Sequence, residues 1–383
     1  MARALYIHWP FCAKKCPYCD FNSHVRETVP FAEWKEALIA DMRAEAEAAG
    51  GETLTSIFLG GGTPSLMPPA LVEALLAEVQ VLWGFASDIE VTLEANPSSV
   101  EAANFAALAG AGINRVSLGI QSLDDEVLQW LGRLHDSREA LTALATAQEH
   151  FARVSFDLIY ALPGQNEAQW RDQLARALDF GTSHLSLYQL TIEPGTRFAT
   201  DVRRGVFEPL DDDAAADLFA LTQEMTAAAG LPAYETSNHA RPGEESRHNL
   251  TYWRYQDYAG IGPGAHGRRG GFATTRHRKP ENYLRAVTDR GHGIAEQRNL
   301  LMAEQASEAL LMGLRLVEGV NLAAMERRFG IARDALVSAA KLDHLVQIGM
   351  AWREGERIGV SEAGRPLLDA VLAELVNAEL VEA

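Results

Sequence analysis

All three cysteines of the 383-residue chain fall in one short window, Cys12-Ala-Lys-Lys-Cys16-Pro-Tyr-Cys19. With no cysteine elsewhere, the window cannot belong to a disulfide framework, but three neighbouring thiolates can hold a metal. Three chemistries fit. A closed zinc site needs four ligands, and His8 or His24 could supply the fourth. A redox Cys-x-x-Cys uses Cys16 and Cys19 alone and leaves Cys12 without a role. A [4Fe–4S] cube usually takes four thiolates, so three would leave one iron open to an outside ligand. Soft thiolates suit zinc and iron–sulfur alike.

The rest of the chain narrows the setting. Its length allows one large α/β domain and a small appendage. Net charge is −18, from 34 Lys+Arg against 52 Asp+Glu. That balance opposes broad contact with nucleic acid or anionic lipid, so no nucleic-acid partner is expected. No apolar run approaches the roughly 18 residues of a transmembrane helix. The opening Met-Ala-Arg-Ala-Leu-Tyr runs straight into a strand and leaves no room for a signal peptide. Together with reduced thiols, this points to the cytoplasm.

Apolar runs suited to buried parallel strands lie at residues 5–8, 56–59, 89–93, 115–118, 154–159 and 185–190. Helix-periodic stretches separate them at 31–48, 70–83, 102–109, 137–150 and 167–180. This alternation predicts a parallel sheet with helical crossovers, open or curved into a partial barrel. Beyond Gly230 the alternation breaks. Residues 236–300 carry glycine, proline, aromatics and histidines, and read as loops and short strands over the barrel mouth, a lid on a core spanning 1–235. Residues 301–383 read as short helices, a hairpin around Gly355 and a last helix from about Pro366, a winged-helix-like pattern. With 8 Lys+Arg against 13 Asp+Glu, that wing is a poor phosphate reader, and packing or partner contact suits it better.

Ligands of a parallel α/β sheet sit at the carboxyl ends of its strands. Candidates follow the strands here: Gly60-Gly61-Gly62-Thr63-Pro64, Glu94, Gln121 with Arg133 beyond it, and Asp157 inside the fifth apolar run. Glycines let a backbone approach a ligand closely. A carboxylate within an apolar strand is costly unless paired or bound. Each residue taken singly also reads as a cap, a salt bridge or a solvated side chain.

The x3–x2 cysteine spacing resembles that of the radical S-adenosylmethionine (SAM) superfamily, and Tyr18 matches the aromatic usual before the third cysteine. The run Tyr6-Ile-His-Trp-Pro-Phe-Cys12 resembles the oxygen-independent coproporphyrinogen oxidase branch. The resemblance implies a partial (β/α)6 TIM-like barrel and a [4Fe–4S] cluster on Cys12, Cys16 and Cys19, with SAM on the open iron. It also implies that Gly61, Gly62 and Thr63 meet the methionine amino group. Glu94, Gln121, Arg133 and Asp157 would bind the ribose, the methionine carboxylate and neighbouring groups. Tyr6 and Thr191 would add SAM contacts, and the 260–265 loop would lie on the adenine side.

Two departures separate the chain from the oxidases. Their extended motif has a further cysteine where this chain has Phe21. The segment Arg247-His248-Asn249-Leu250-Thr251-Tyr252-Trp253 instead matches the His-Asn-x-x-Tyr-Trp signature of the HemW family. That resemblance implies a haem chaperone: a protein that binds haem and hands it to an acceptor, without an assigned catalytic residue. An acceptor in a membrane would be met peripherally. The alternative is an oxygen-independent coproporphyrinogen III oxidase. His248 would offer an axial imidazole beside Tyr252 and Trp253, over the barrel mouth, with His239 and His266 as rivals. The bland reading is a packed segment with His248 hydrogen-bonded. Cys19 is followed by Asp20, so no Cys-x-x-Cys-His exists for c-type attachment.

Overall fold

The six apolar runs form six consecutive parallel strands of one sheet. They are β1 (Ala4–Trp9), β2 (Leu54–Gly61), β3 (Phe85–Ala95), β4 (Arg115–Gln121), β5 (Arg153–Tyr160) and β6 (His184–Gln189). In this computed structural model, which describes residues 3–50 and 53–377, they lie side by side in chain order. Helical crossovers join them: α1 (Phe31–Ala49), α2 (Pro69–Leu82), short turns of helix before β4, α3 (Ser137–His150) and α4 (Glu167–Asp179). Sequential parallel strands joined by helices curl into a β/α barrel, here a partial, TIM-like one.

Strand periodicity decides what faces where, since successive side chains point to opposite faces. In β4, Val116 and Leu118 are buried in the hydrophobic layer with Leu93, Leu144 and Leu174. The alternate residues face the inside of the curve: Arg115 donates to Thr92 and Ser155, and Ser117 donates to Asp157. The barrel is therefore oily outside, under its helices, and polar within. Capping boxes at Asp136 and Asn166 start α3 and α4 where the sequence places them.

The segment after β6 contains short strands, and these prolong the sheet at both edges. β7 (Asn238–Ala240) pairs antiparallel with β6, and β8 (Tyr258–Ile261) pairs parallel with β1. Beyond β8 come the antiparallel β9 (His266–Arg269), β10 (Phe272–Arg276) and β11 (Ile294–Asn299). Buried charge holds this extension against α1. Arg276 lies 2.6 Å from Glu45 and 3.3 Å from Asp41, Arg269 pairs with Glu45, and the Tyr283 hydroxyl donates to Asp41 at 2.9 Å. With every oxygen of Asp41 and Glu45 occupied, these buried ions are compensated.

The last segment forms its own core, including Leu310, Phe329, Leu342, Ile358 and Leu372. Three short antiparallel strands, Val320–Asn321, Arg357–Val360 and Ala351–Glu354, carry the hairpin, and Gly355 turns it at φ +57°. Helices with such a hairpin match the winged-helix-like expectation. Residues 378–383 lie outside the described residues.

Candidate functional site

A short parallel pair, Phe11–Cys12 with His24–Val25, brackets the cysteine loop. Cys12, Cys16 and Cys19 are free thiols that line one cavity of about 420 Å³ at the carboxyl ends of the strands. Gly61, Gly62, Thr63, Glu94, Gln121, Arg133 and Asp157 line it too. Residues spread over some 150 positions therefore converge as the parallel sheet requires. Among the described residues no three His, Cys, Asp or Glu side chains converge as ligands of a single ion do. In a cube each thiolate goes to a different iron, so sulfurs spaced around a cavity suit it. Burial pushes the Cys12 and Cys19 thiols above their ordinary range, and a bound cluster's positive charge would hold them as thiolates.

The sequence did not single out Asn96, yet it ties the site together. Its amide donates to Thr63 Oγ1 at 3.1 Å and accepts from Arg133 Nη2 at 2.6 Å. Arg133 also donates to the Gly119 carbonyl at 2.7 Å, and its Nη1 lies 3.6 Å from Cys16 Sγ. The signal was available: Asn96 stands two residues past Glu94 in the loop after β3. Gln121 ends β4 at φ +70°, a left-handed conformation that costs a non-glycine residue energy and occurs mainly where function holds it.

The glycine run also serves a need within the chain. A Cβ on Gly61 would fall 2.5 Å from the His8 ring, and one on Gly62 would fall 2.7 Å from the Phe11 carbonyl oxygen. The glycines thus make room for the chain itself. Their N–H groups are not free for a ligand. Gly61 donates to Glu94 at 3.0 Å, Gly62 to the Trp9 carbonyl and Thr63 to the Phe11 carbonyl. What the run can offer a ligand is carbonyl oxygen.

Two carboxylates face the same cavity. Burial pushes Glu94 up to about 7, against the Gly61 N–H and helped by the nearby Asp157 charge. Burial likewise pushes Asp157 up to about 6, opposed by hydroxyls of Ser186 and Ser117. Asp157 in an apolar strand is thus explained by its hydroxyl partners and the cavity.

A second cavity of about 450 Å³ adjoins the first and shares Phe21, Gly61 and Glu94 with it. Tyr6 lines this one and not the cysteine cavity. Its hydroxyl lies 2.9 Å from His8 Nδ1, while His8 Nε2 donates to the Asn22 carbonyl, so the two bonds fix a neutral ring. Thr191 lines neither cavity. It is exposed beyond β6 and bonds back to the Gln189 carbonyl.

The haem candidates need correction. α5 (Asp212–Ala228) precedes β7, and α6 (Arg247–Trp253) follows it to close the barrel from within. His248, on α6, is 2% exposed. Its backbone N–H donates to Glu90, its Nδ1 lies 3.2 Å from Ser56 Oγ, and its Nε2 lies 2.8 Å from the Tyr252 hydroxyl. The ring stacks on Phe58 at 5.0 Å, and burial drives it down to about 3, so it stays neutral. Both nitrogens are engaged by the chain; Ser56 lies toward the amino end of β2, and Glu90, its register partner, lies midway along β3. His248 and Tyr252 are the floor of the second cavity, not an arm over the mouth. Trp253 lines neither cavity, and Arg315 stacks on its indole at 4.7 Å. His239 is fully buried with Nδ1 against Thr226. His266, exposed at the start of β9, does reach the second cavity.

Comparison with known proteins agrees with this architecture. Residues 6–177 match the radical SAM superfamily model, and residues 301–367 match the HemN C-terminal domain. The chain is 39% identical to mouse (Mus musculus) radical S-adenosyl methionine domain-containing protein 1, mitochondrial, over 97% of this chain and 87% of that protein. It is 37% identical to the heme chaperone HemW of Escherichia coli (strain K12), over 98% of each. The solved coproporphyrinogen III oxidase (HemN) of Escherichia coli shares the fold, with a TM-score of 0.83 at 21% identity over 97% of this chain and 89% of that one. Near full-length kinship, joined to three thiols at the mouth of a partial barrel, makes this chain a member of the HemW family of the radical SAM superfamily.

Proposed function

We propose that the protein is a haem chaperone: it binds haem and transfers it to an acceptor protein, carrying a [4Fe–4S] cluster and SAM at the barrel mouth. The observation that carries this reading is the near full-length relation to HemW proteins. Cys12, Cys16 and Cys19 would hold the cluster, whose fourth iron, when present, supplies a coordination site for the amino and carboxylate groups of SAM. The chain's own residues then have clear tasks. Carbonyls of the 60–62 run would accept from the N–H of the methionine amino group. Arg133, fixed by Asn96 and the Gly119 carbonyl, sets positive charge beside the thiolates. Glu94 and Asp157, when ionised, accept from ribose hydroxyls. Thr191 has no part in this site.

The reading puts the protein in the cytoplasm, where thiols stay reduced. No helix of the described residues is long and apolar enough to cross a membrane. Its partners are haem and a haem-accepting protein, met from the surface if that acceptor is membrane-bound.

The HemN-like fold favours one rival, oxygen-independent coproporphyrinogen III oxidation. Against it, Phe21 stands where the oxidases extend their cysteine motif. An anaerobic assay of the reconstituted protein with coproporphyrinogen III, SAM and a reductant, run beside a haem titration, separates the two. The chaperone reading expects saturable haem binding and no porphyrinogen turnover. Catalytic protoporphyrinogen formation would replace it with the oxidase.

A further inference from the structure

We propose that the axial ligand to haem iron is His266, with the macrocycle lying against Phe21 and a propionate at Arg278; this rests on the haem-binding reading above. Four histidines line the two cavities, and their hydrogen bonds sort them. His8 and His248 have both ring nitrogens engaged. His135 is buried and holds the Ile120 carbonyl through Nε2. His266 is exposed, and its ring has no hydrogen bond among the described residues. A neutral imidazole with a free nitrogen is what haem iron takes.

The backbone under this free ring is held firmly. His266 opens β9 and pairs with Thr275 of β10. Its carbonyl passes so close to Gly260 of β8 that a Cβ there would fall 1.8 Å from the oxygen. The sheet therefore fixes where the imidazole starts and leaves the ring open to the cavity. This gives the 260–265 glycine run a structural reason: it lets the β8–β9 turn fold tightly beside the mouth.

Two further side chains at the same cavity match the rest of the ligand. Phe21 is 58% exposed and lines both cavities, offering an apolar ring to a ligand in either. The Arg278 guanidinium is exposed, and its side chain makes no hydrogen bond or ion pair among the described residues. In a chain of net charge −18, an uncommitted cation at a cavity selects for an anion. An imidazole, an apolar ring and a cation correspond to the iron, the macrocycle and a propionate. Ligand pockets run to about 300–1,000 Å³. At about 450 Å³ this one would seat a haem without enclosing it, which suits cargo that must leave.

The test is a haem titration of the full-length, cluster-reconstituted protein followed by its Soret band. His266→Ala should shift the Soret band and weaken binding tenfold or more, with iron and sulfide content unchanged. Added imidazole should restore the original band in that variant. Phe21→Ser should weaken binding while leaving the band in place, and Arg278→Ala should raise the off-rate. His239→Gln, at a rival histidine that lines neither cavity, should keep the wild-type band. Wild-type affinity and Soret band in His266→Ala would overturn the assignment while leaving haem binding itself intact. So would failure of imidazole to restore the band. If the unmutated protein took up no haem, the chaperone reading would fall first, and this assignment with it.

Discussion

The mouth of the barrel and its floor are built from the same residue types and differ in what those residues have left over. On the floor, Glu90 accepts from His248 and pairs with Arg153 at 2.5 Å, and His248 spends both ring nitrogens on Ser56 and Tyr252. Every one of these buried polar groups has its partner within the chain, as stable interiors require. At the mouth, three thiols face a cavity, Gln121 holds a strained backbone, and two carboxylates are pushed toward neutral pH. A histidine or a carboxylate therefore signals a ligand only where its bonding capacity is unspent.

The sharpest break between the two regions should come from the thiols. Cys12→Ala, Cys16→Ala or Cys19→Ala should each abolish cluster assembly, read as iron and sulfide near zero, while the melting temperature of the cluster-free protein moves little. A single variant that still reconstituted a full cluster would show that the ligands lie elsewhere. The floor should respond in the opposite way. Glu90→Ala leaves Arg153 without its most buried partner and the His248 N–H without an acceptor, so it should cost about 3 kcal/mol in urea unfolding. Cluster loading should persist in whatever fraction is folded. Loss of the cluster with unchanged stability would reverse the two assignments.

Glu94 sharpens the comparison through pH. Its folded carboxyl is raised to about 7, above its ordinary range, so the folded state prefers the protonated form. Stability is then greatest at low pH and is lost as pH rises from the unfolded value through about 7. Glu94→Gln should remove that loss, stabilising the cluster-free protein by about 1–2 kcal/mol at alkaline pH and progressively less in acid. The same variant should bind SAM more weakly. A gain that grew as the pH fell would contradict the burial assigned to this group. The smallest effect belongs to Trp253. Trp253→Phe should cost about 0.5–1 kcal/mol by weakening the Arg315 stack, with haem affinity unchanged.

The strands and the mouth were legible because both follow from short-range pattern. Apolar runs at regular intervals dictate a parallel sheet, and a parallel sheet gathers the residues after its strands at one end. What escaped the sequence depends on distant partners. His248 lies in a signature-like run, but the Ser56 that engages its ring is 192 residues away. Arg276 sits in a stretch that reads as loops and short strands, while Asp41, which compensates it, is 235 residues off. The same gap hid that the 236–300 segment extends the sheet at its edges. The glycine run was legible as a close backbone approach, but the His8 ring that also needs its space is visible only in three dimensions. Thr191 and Trp253 came from motif position alone, and nothing in their local pattern said which way they would face.

Hydrogen exchange of the reconstituted protein, with and without SAM and then haem, tests the division between mouth and floor most directly. SAM should slow exchange at residues 60–64, 94–96 and 119–135, and haem should slow it at 20–22 and 264–278. Residues 247–253, already protected on the floor, should not change with either ligand. New protection at 247–253 on adding haem, with none at the mouth, would contradict the account and return the haem site to His248.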